Sequence, residues 1–188
     1  SRLMPSLCEE IGVDYKPIGS LVVCTSDDDR PGLQALLSRG VANGVEGLRI
    51  VERDELLEME PNVSDEAVAA LWAPTAGIVN PFQFTIALAE NANINGVDFL
   101  FNEKVVGLSR HEGGGWRIRT DKRDIRARVV VNAAGVHADE IHNLVATNDD
   151  QLVITPRRGQ YYVLDTSVDG YVQHTIFSIV HGVDHIAV

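Results

Sequence analysis

Apolar positions recur along this chain with two periods, and the switches between them mark its elements. Leu3, Leu7, Cys8 and Ile11 have helical spacing, with Gly12 as the stop. Residues 18–24 read as a strand. Asp27, Asp28 and Asp29, followed by Pro31, predict an acid-capped helix start. The helix 32–43 then turns Leu33, Leu36, Leu37 and Val41 inward and stops at Gly44. A short strand at 48–51 leads into an acidic helix at 53–59 that ends before Pro61. Residues 68–72 form a strand that runs into a turn-rich corner at 73–77. Asn80 caps a helix that has Pro81 at its first position, buries Phe84, Ala87, Leu88 and Ala92, and stops at Gly96. A strand at 97–101 follows.

Strands at 104–110 and 116–120 are joined through Gly113, Gly114 and Gly115. Arg117 and Arg119 alternate with Trp116 and Ile118, and Arg126 and Arg128 with Ile125 and Ala127. This period of two predicts a solvated hairpin face rather than a nucleic-acid patch. The glycine triplet leads into another strand and lacks the spacing of a phosphate loop. After a polar link at 148–150, residues 152–155, 161–164, 171–179 and 183–188 are strand-like and predict an antiparallel sheet.

Residues 128–144 organise the rest. An apolar strand at 129–131 narrows to Ala133, Ala134 and Gly135, and a helical pattern follows with Val136, Ile141, Leu144 and Val145 on one face. Strand, small-residue turn and helix make the usual frame of a nucleotide site: glycine permits positive φ and the alanines permit close approach. A strand–helix junction packed with small residues fits the same pattern. Asp139 and Glu140 in the helix's first turn complement its dipole themselves and would repel a pyrophosphate. A cofactor here would touch the small residues and hold its phosphates elsewhere.

Composition narrows the classes. With 188 residues and 45% hydrophobic content a sizeable core is available. No apolar run approaches the roughly 18 residues of a membrane span, and no secretory signal is visible. Cys8 and Cys24 give neither a disulfide framework nor a zinc site, which suits a reducing cytoplasm. A net charge of −11 argues against nucleic acid as a partner. Residues 1–100 hold 6 basic and 16 acidic side chains and residues 101–188 hold 10 and 11, so the second part better suits an anionic ligand. The chain opens inside a helical pattern and closes on an apolar run, as expected of a piece of a longer protein.

Candidate chemistry is sparse. Arg157 and Arg158 lie between Pro156 and Gly159. One of them could present a guanidinium fork to a phosphate or carboxylate, or both could be ordinary surface arginines. His137 and His142 are five apart and share no helix face. His181 and His185 lie about 13 Å apart along a strand, too far for a metal pair. His174 lies mid-strand, as an acid–base group or as a packed histidine. The acidic cluster at 27–29 reads as capping, the Asn62-Val63-Ser64 triplet has no secretory context, and no metal site is expected.

Four motifs together resemble the FAD-dependent oxidoreductases of the D-amino-acid-oxidase type, with greatest likeness to the FAD-dependent glycerol-3-phosphate dehydrogenases: P-T-A-G-I-V-N-P (74–81), G-V-D-F-L-F-N-E-K-V (96–105), V-V-N-A-A-G-V-H-A-D-E-I (130–141) and P-R-R-G-Q-Y-Y-V-L-D (156–165). The resemblance implies a mixed α/β and α+β fold, the central part of a two-domain enzyme. Residues 77–147 would be the middle segment of the FAD-binding domain. Residues 1–76 and 148–188 would belong to a substrate domain with an antiparallel sheet. It implies that Val105 meets the adenine through its backbone and that Ala133, Ala134 and Gly135 lie beside the dinucleotide. It further implies oxidation of a secondary alcohol, glycerol 3-phosphate, by hydride transfer to FAD. Arg157 or Arg158 would anchor the small anionic substrate and His174 or Tyr161 would assist the proton. Electrons would pass on to a protein or a quinone, in a cytoplasmic protein that is at most peripheral to the membrane.

The strand with G-x-G-x-x-G that cradles the pyrophosphate in that family is absent here, so the chain alone is expected not to retain FAD. Two other readings stand beside this one: an FAD-dependent amino-acid or 2-hydroxy-acid oxidase, and a structural or binding domain with no catalysis of its own.

Overall fold

The computed structural model describes residues 2–179. The readings at 181–188, the His181–His185 pair and the last strand, lie outside them. The described residues divide into two compact units, one within Ser1–Val97 and Leu164–Val188, the other Asp98–Val163.

The first unit opens with α1 (Met4–Glu10), β1 (Tyr15–Lys16) and β2 (Ser20–Cys24), followed by α2 (Arg30–Ala42). Next come β3 (Arg49–Glu52), α3 (Arg53–Met59), β4 (Ala69–Ala73), β5 (Ile78–Val79) and α4 (Pro81–Ile94). Its main sheet has the order β3-β4-β2 with a further strand, Thr175–Ser178 (β9 in the chain numbering), at the edge beside β2. β4 pairs antiparallel with β2 and with β3, whereas Thr175–Ser178 pairs parallel to β2, with Leu21 opposite Ile176. The strand expected over 171–179 is thus shorter, and its ladder parallel rather than antiparallel.

β2 is apolar along most of its length because both its faces are covered. Leu21 and Val23 point into one cluster with Val51, Leu56 of α3, and Ala70. Cys24 joins Leu33 of α2, Ala69 and Leu71 in the other, with Val22 packed against it. Leu21, Leu33 and Leu56 are fully buried, each worth about 1.5–3 kcal/mol against exposure.

Two local expectations change. Ser26, not an aspartate, caps the turn before α2: its hydroxyl accepts from the Asp28 N–H at 3.2 Å. Asp27 serves otherwise: with Glu52 it grips Arg30. Val41, on the last turn of α2, is 60% exposed. Asn80 does cap α4, its side-chain oxygen accepting from the N–H groups of Phe82 and Gln83 at 3.0 and 3.2 Å. Leu88, however, is exposed and no residue of α4 is fully buried.

The second unit contains β6 (Val105–Arg110), β7 (Trp116–Thr120) and β8 (Asp124–Ala127), an antiparallel meander. The outward arginines alternate with half-buried Trp116 and Ile118 as expected. A 3-10 turn at Gly135–His137 leads into α5 (Ala138–Asn143).

The strands expected at 97–101, 129–131, 152–155 and 161–164 form no ladder among the described residues. Val129 and Val131 are 73% and 83% exposed. Apolar runs of this kind suit the interior of a sheet, but a strand exists only where a neighbour meets its backbone groups, and none does here. Val136, Leu144 and Val145 are exposed too: Val136 lies in the turn before α5, and Leu144 and Val145 lie past its end at Asn143.

No helix among the described residues is long and apolar enough to cross a membrane. No group of His, Cys, Asp or Glu side chains among them is arranged to hold a metal ion.

Candidate functional site

Two places concentrate the residues singled out by sequence. The first is a cavity of about 680 Å³ in the second unit, with Val105 and Val106 of β6 on one wall and Ile141 of α5 and Leu144 on another. Ala134 lies at its lining, and Lys104, His137 and Glu140 add polar groups. The structure therefore brings Val105 and Ala134 together. Ala133 and Gly135 flank Ala134 without lining the cavity.

Asn132 builds the small-residue turn. Its side-chain oxygen accepts from the Ala134 N–H at 3.3 Å and its amide donates to the Ala138 carbonyl at 2.7 Å. Gly135 has φ +57, and a Cβ there would meet nothing within 4 Å. Its requirement is the left-handed dihedral rather than close approach of another group.

The two acids at the start of α5 have separate roles. Asp139 Oδ2 accepts from the Ile154 N–H at 2.8 Å and Oδ1 from the Glu140 N–H at 2.9 Å. These backbone donors, Ile154 first, hold its carboxyl below the usual range. Asn143 exchanges two bonds with Leu152, and His142 Nε2 lies 2.9 Å from the Asp150 carbonyl. Side chains of α5 thus hold the segment that sequence read as a strand. Glu140 pairs with His137 at 2.7 Å within the cavity lining. The apolar walls suit an uncharged ring, and Lys104, His137 and Glu140 give the rim both signs of charge.

Arg157, Arg158 and Tyr161 follow in the same unit on irregular, exposed chain, with Tyr161 73% exposed. Arg157 does take part in an interaction.

The second place lies in the first unit. His174 Nδ1 is 2.8 Å from Glu60 Oε1. The same oxygen accepts from the backbone N–H groups of Gln173, at 2.7 Å, and His174. Trp72 meets the His174 ring edge-on, with centroids 4.9 Å apart. The Glu60 side chain is 1% exposed and that of His174 18%. Glu60 Oε2 is buried without a hydrogen-bond partner. Sequence gave no sign of Glu60, which reads locally as the last acid of a solvated helix before Pro61. His174 and the group of Arg157, Arg158 and Tyr161 belong to different units.

Comparison with known proteins adds what geometry does not. The model of the FAD dependent oxidoreductase family (DAO) matches residues 1–186. A glycerol 3-phosphate dehydrogenase of Caloramator mitchellensis is 44% identical over 175 residues, covering 93% of this chain and 36% of that protein. A mitochondrial L-2-hydroxyglutarate dehydrogenase of Mus musculus is 31% identical over 95% of this chain and 40% of its own length. The crystal structure of an L-α-glycerophosphate oxidase from Mycoplasma pneumoniae with FAD bound matches with a TM-score of 0.62 and 27% identity, over 70% of this chain and 36% of that one. The chain spans about two fifths of the length of these proteins.

Proposed function

This chain belongs to the FAD-dependent oxidoreductase family, and on that premise we propose that it is one segment of a flavoenzyme that oxidises glycerol 3-phosphate to dihydroxyacetone phosphate. The observation that carries the substrate is the 44% identity to a glycerol 3-phosphate dehydrogenase, sustained over 93% of the chain. In this reading residues 77–147 belong to the FAD-binding domain and 1–76 and 148–188 to the substrate domain.

Bound FAD supplies the acceptor for the hydride that leaves the substrate carbon. Val105 and Ala134, which line the cavity, would hold an uncharged part of the FAD, with Ala133 and Gly135 shaping the turn on either side of Ala134. Arg157 or Arg158 pairs with the substrate phosphate, fixing the orientation of the alcohol. His174 takes the hydroxyl proton, with Tyr161 the other candidate. Electrons leave to a protein or quinone.

The test is a substrate panel on the intact flavoprotein, reading anaerobic bleaching of the flavin. Glycerol 3-phosphate should bleach it. Bleaching by L-2-hydroxyglutarate alone would transfer the protein to the second reading, a 2-hydroxy-acid dehydrogenase, which the 31% relative favours. Replacing Arg157 and Arg158 together with alanine should raise KM about 10- to 100-fold, the worth of one lost charge-assisted bond. Unchanged KM removes both from the site.

A further inference from the structure

We propose that Glu60 is the positioning residue of His174: its carboxylate holds the imidazole with the proton on Nδ1 and leaves Nε2 to receive the proton of the substrate alcohol. This deepens the function proposed above and rests on it for the identity of the substrate, though not for the state of the ring.

The hydrogen-bond pattern carries the inference. An ionised carboxylate only accepts, so the contact between Glu60 Oε1 and His174 Nδ1 at 2.8 Å places a proton on Nδ1. In the neutral ring Nε2 is then bare. Among the described residues no protein group bonds Nε2, and the 18% exposure of the side chain leaves part of the ring open.

The ring is held from two more sides. Trp72 packs edge-on against it, at 88° between planes. Trp72 is itself seated over Gly19, where a Cβ would fall 1.9 Å from the indole. The backbone N–H groups of residues 173 and 174 are tied to the same oxygen as the ring, so backbone and side chain of His174 are anchored at one point.

The carboxylate serves backbone and ring together: Oε1 accepts from the N–H groups of Gln173 and His174 and meets the imidazole, while Oε2 is buried without a protein partner. An apolar residue here would leave those N–H groups unpaired and the ring unheld. The arrangement is the one by which a buried carboxylate selects a histidine tautomer and steadies the imidazolium that forms as the proton arrives. The transfer balances: the alcohol O–H breaks, Nε2–H forms, and the hydride leaves the carbon for FAD.

The experiment is ¹⁵N NMR of histidine-labelled intact flavoprotein, with the His174 signals assigned by their loss in His174→Asn. The expected result is a neutral ring protonated at Nδ1. A neutral ring protonated at Nε2 overturns the proposal, without any variant and whatever the substrate. In Glu60→Gln the amide oxygen can still accept the backbone bonds, but the charge is gone. That oxygen can also still accept from Nδ1–H, so the tautomer should hold, while the imidazolium loses its counter-charge and kcat with glycerol 3-phosphate should fall about 10- to 100-fold with KM within about threefold. Retention of both the Nδ1–H tautomer and kcat, or a changed tautomer with unchanged kcat, overturns it. If glycerol 3-phosphate is not turned over at all, the substrate reading fails, and the wild-type tautomer still decides the role of Glu60.

Discussion

The two units of this chain are ordered by different forces. All the buried apolar side chains among the described residues, from Cys8 to Leu71, lie in the first unit, and all but Cys8 and Val13 belong to the two clusters around one sheet. In the second unit the one buried residue is Thr120, a polar one, while Val129, Val131, Val153 and Val163 are exposed. Its turns are instead fixed by side chains bonded to backbone: Thr120 at the β7–β8 turn, Asn132 at the small-residue turn, and Asp139 and Asn143 along the 152–154 segment. Burial stabilises without direction, whereas such bonds set geometry and contribute little each. The cavity borders therefore lie in the unit whose shape is set by directed bonds.

The largest expected effect tests this contrast directly. Leu56→Ala removes a fully buried side chain from the cluster that also contains Trp72. It should lower the stability of the first unit by about 2–5 kcal/mol, read as an earlier urea midpoint in Trp72 fluorescence. Val131→Ala, at a side chain 83% exposed, should stay within about 0.5 kcal/mol. The chain has only two tryptophans, Trp72 and Trp116, one in each unit, so Trp72→Phe and Trp116→Phe backgrounds separate the signals. Equal losses from Leu56→Ala and Val131→Ala would break the comparison.

The same contrast explains what sequence could disclose. α3 spans Arg53–Met59 as its apolar spacing and Pro61 dictate, and the Asn80-Pro81 cap opens α4, because caps and breakers act within a few residues. The meander of β6, β7 and β8 is visible in the alternation of arginine with Trp116, Ile118 and Ile125. Residues 97–101 and 129–131 carry the apolar signal of strands without forming them, since pairing depends on a neighbour that periodicity does not supply. The parallel seat of Thr175–Ser178 beside β2 is a tertiary choice for the same reason. At the candidate sites, the family resemblance pointed to Val105 and Ala134, and the cavity they line lies between a strand and a helix some 30 residues apart. Glu60 was not legible at all. Its burial and its bonds to Gln173 come from chain 113 residues downstream.

A middle-sized effect is expected at Thr120. Its hydroxyl donates to Glu103 Oε1 at 2.7 Å and accepts from the N–H groups of Lys122 and Arg123 at 3.1 and 2.8 Å. Glu103, 3% exposed at its side chain, also meets Arg123 Nε at 3.0 Å. Thr120→Val keeps the shape and removes the hydroxyl's bonds, leaving the Glu103 carboxylate less satisfied. The second unit should lose about 1–3 kcal/mol, read through Trp116, with the Trp72 transition unmoved. An unmoved Trp116 transition would deny that directed bonds hold this unit.

The smallest effect concerns Asp139 and depends on pH. Backbone N–H groups, that of Ile154 foremost, hold its folded-state carboxyl below the ordinary aspartate value. A depressed carboxyl contributes stability that is present above its unfolded value and is lost as pH falls through the lower folded value. Attachment of the 152–154 segment to α5 should therefore be complete at neutral pH and weaken only in acid below about pH 3.8. The amide of Ile154 reports it, because that N–H is the donor. Its hydrogen-exchange protection, corrected for the intrinsic pH dependence of exchange, should be level through neutral pH and drop in that acid range. In Asp139→Asn the side-chain oxygen can still accept but carries no charge. Protection should start lower and show no step, while amides of β2 in the first unit keep theirs. A step that persists in Asp139→Asn would assign the acid sensitivity to another carboxylate, and a step shared by β2 would show the two units opening as one.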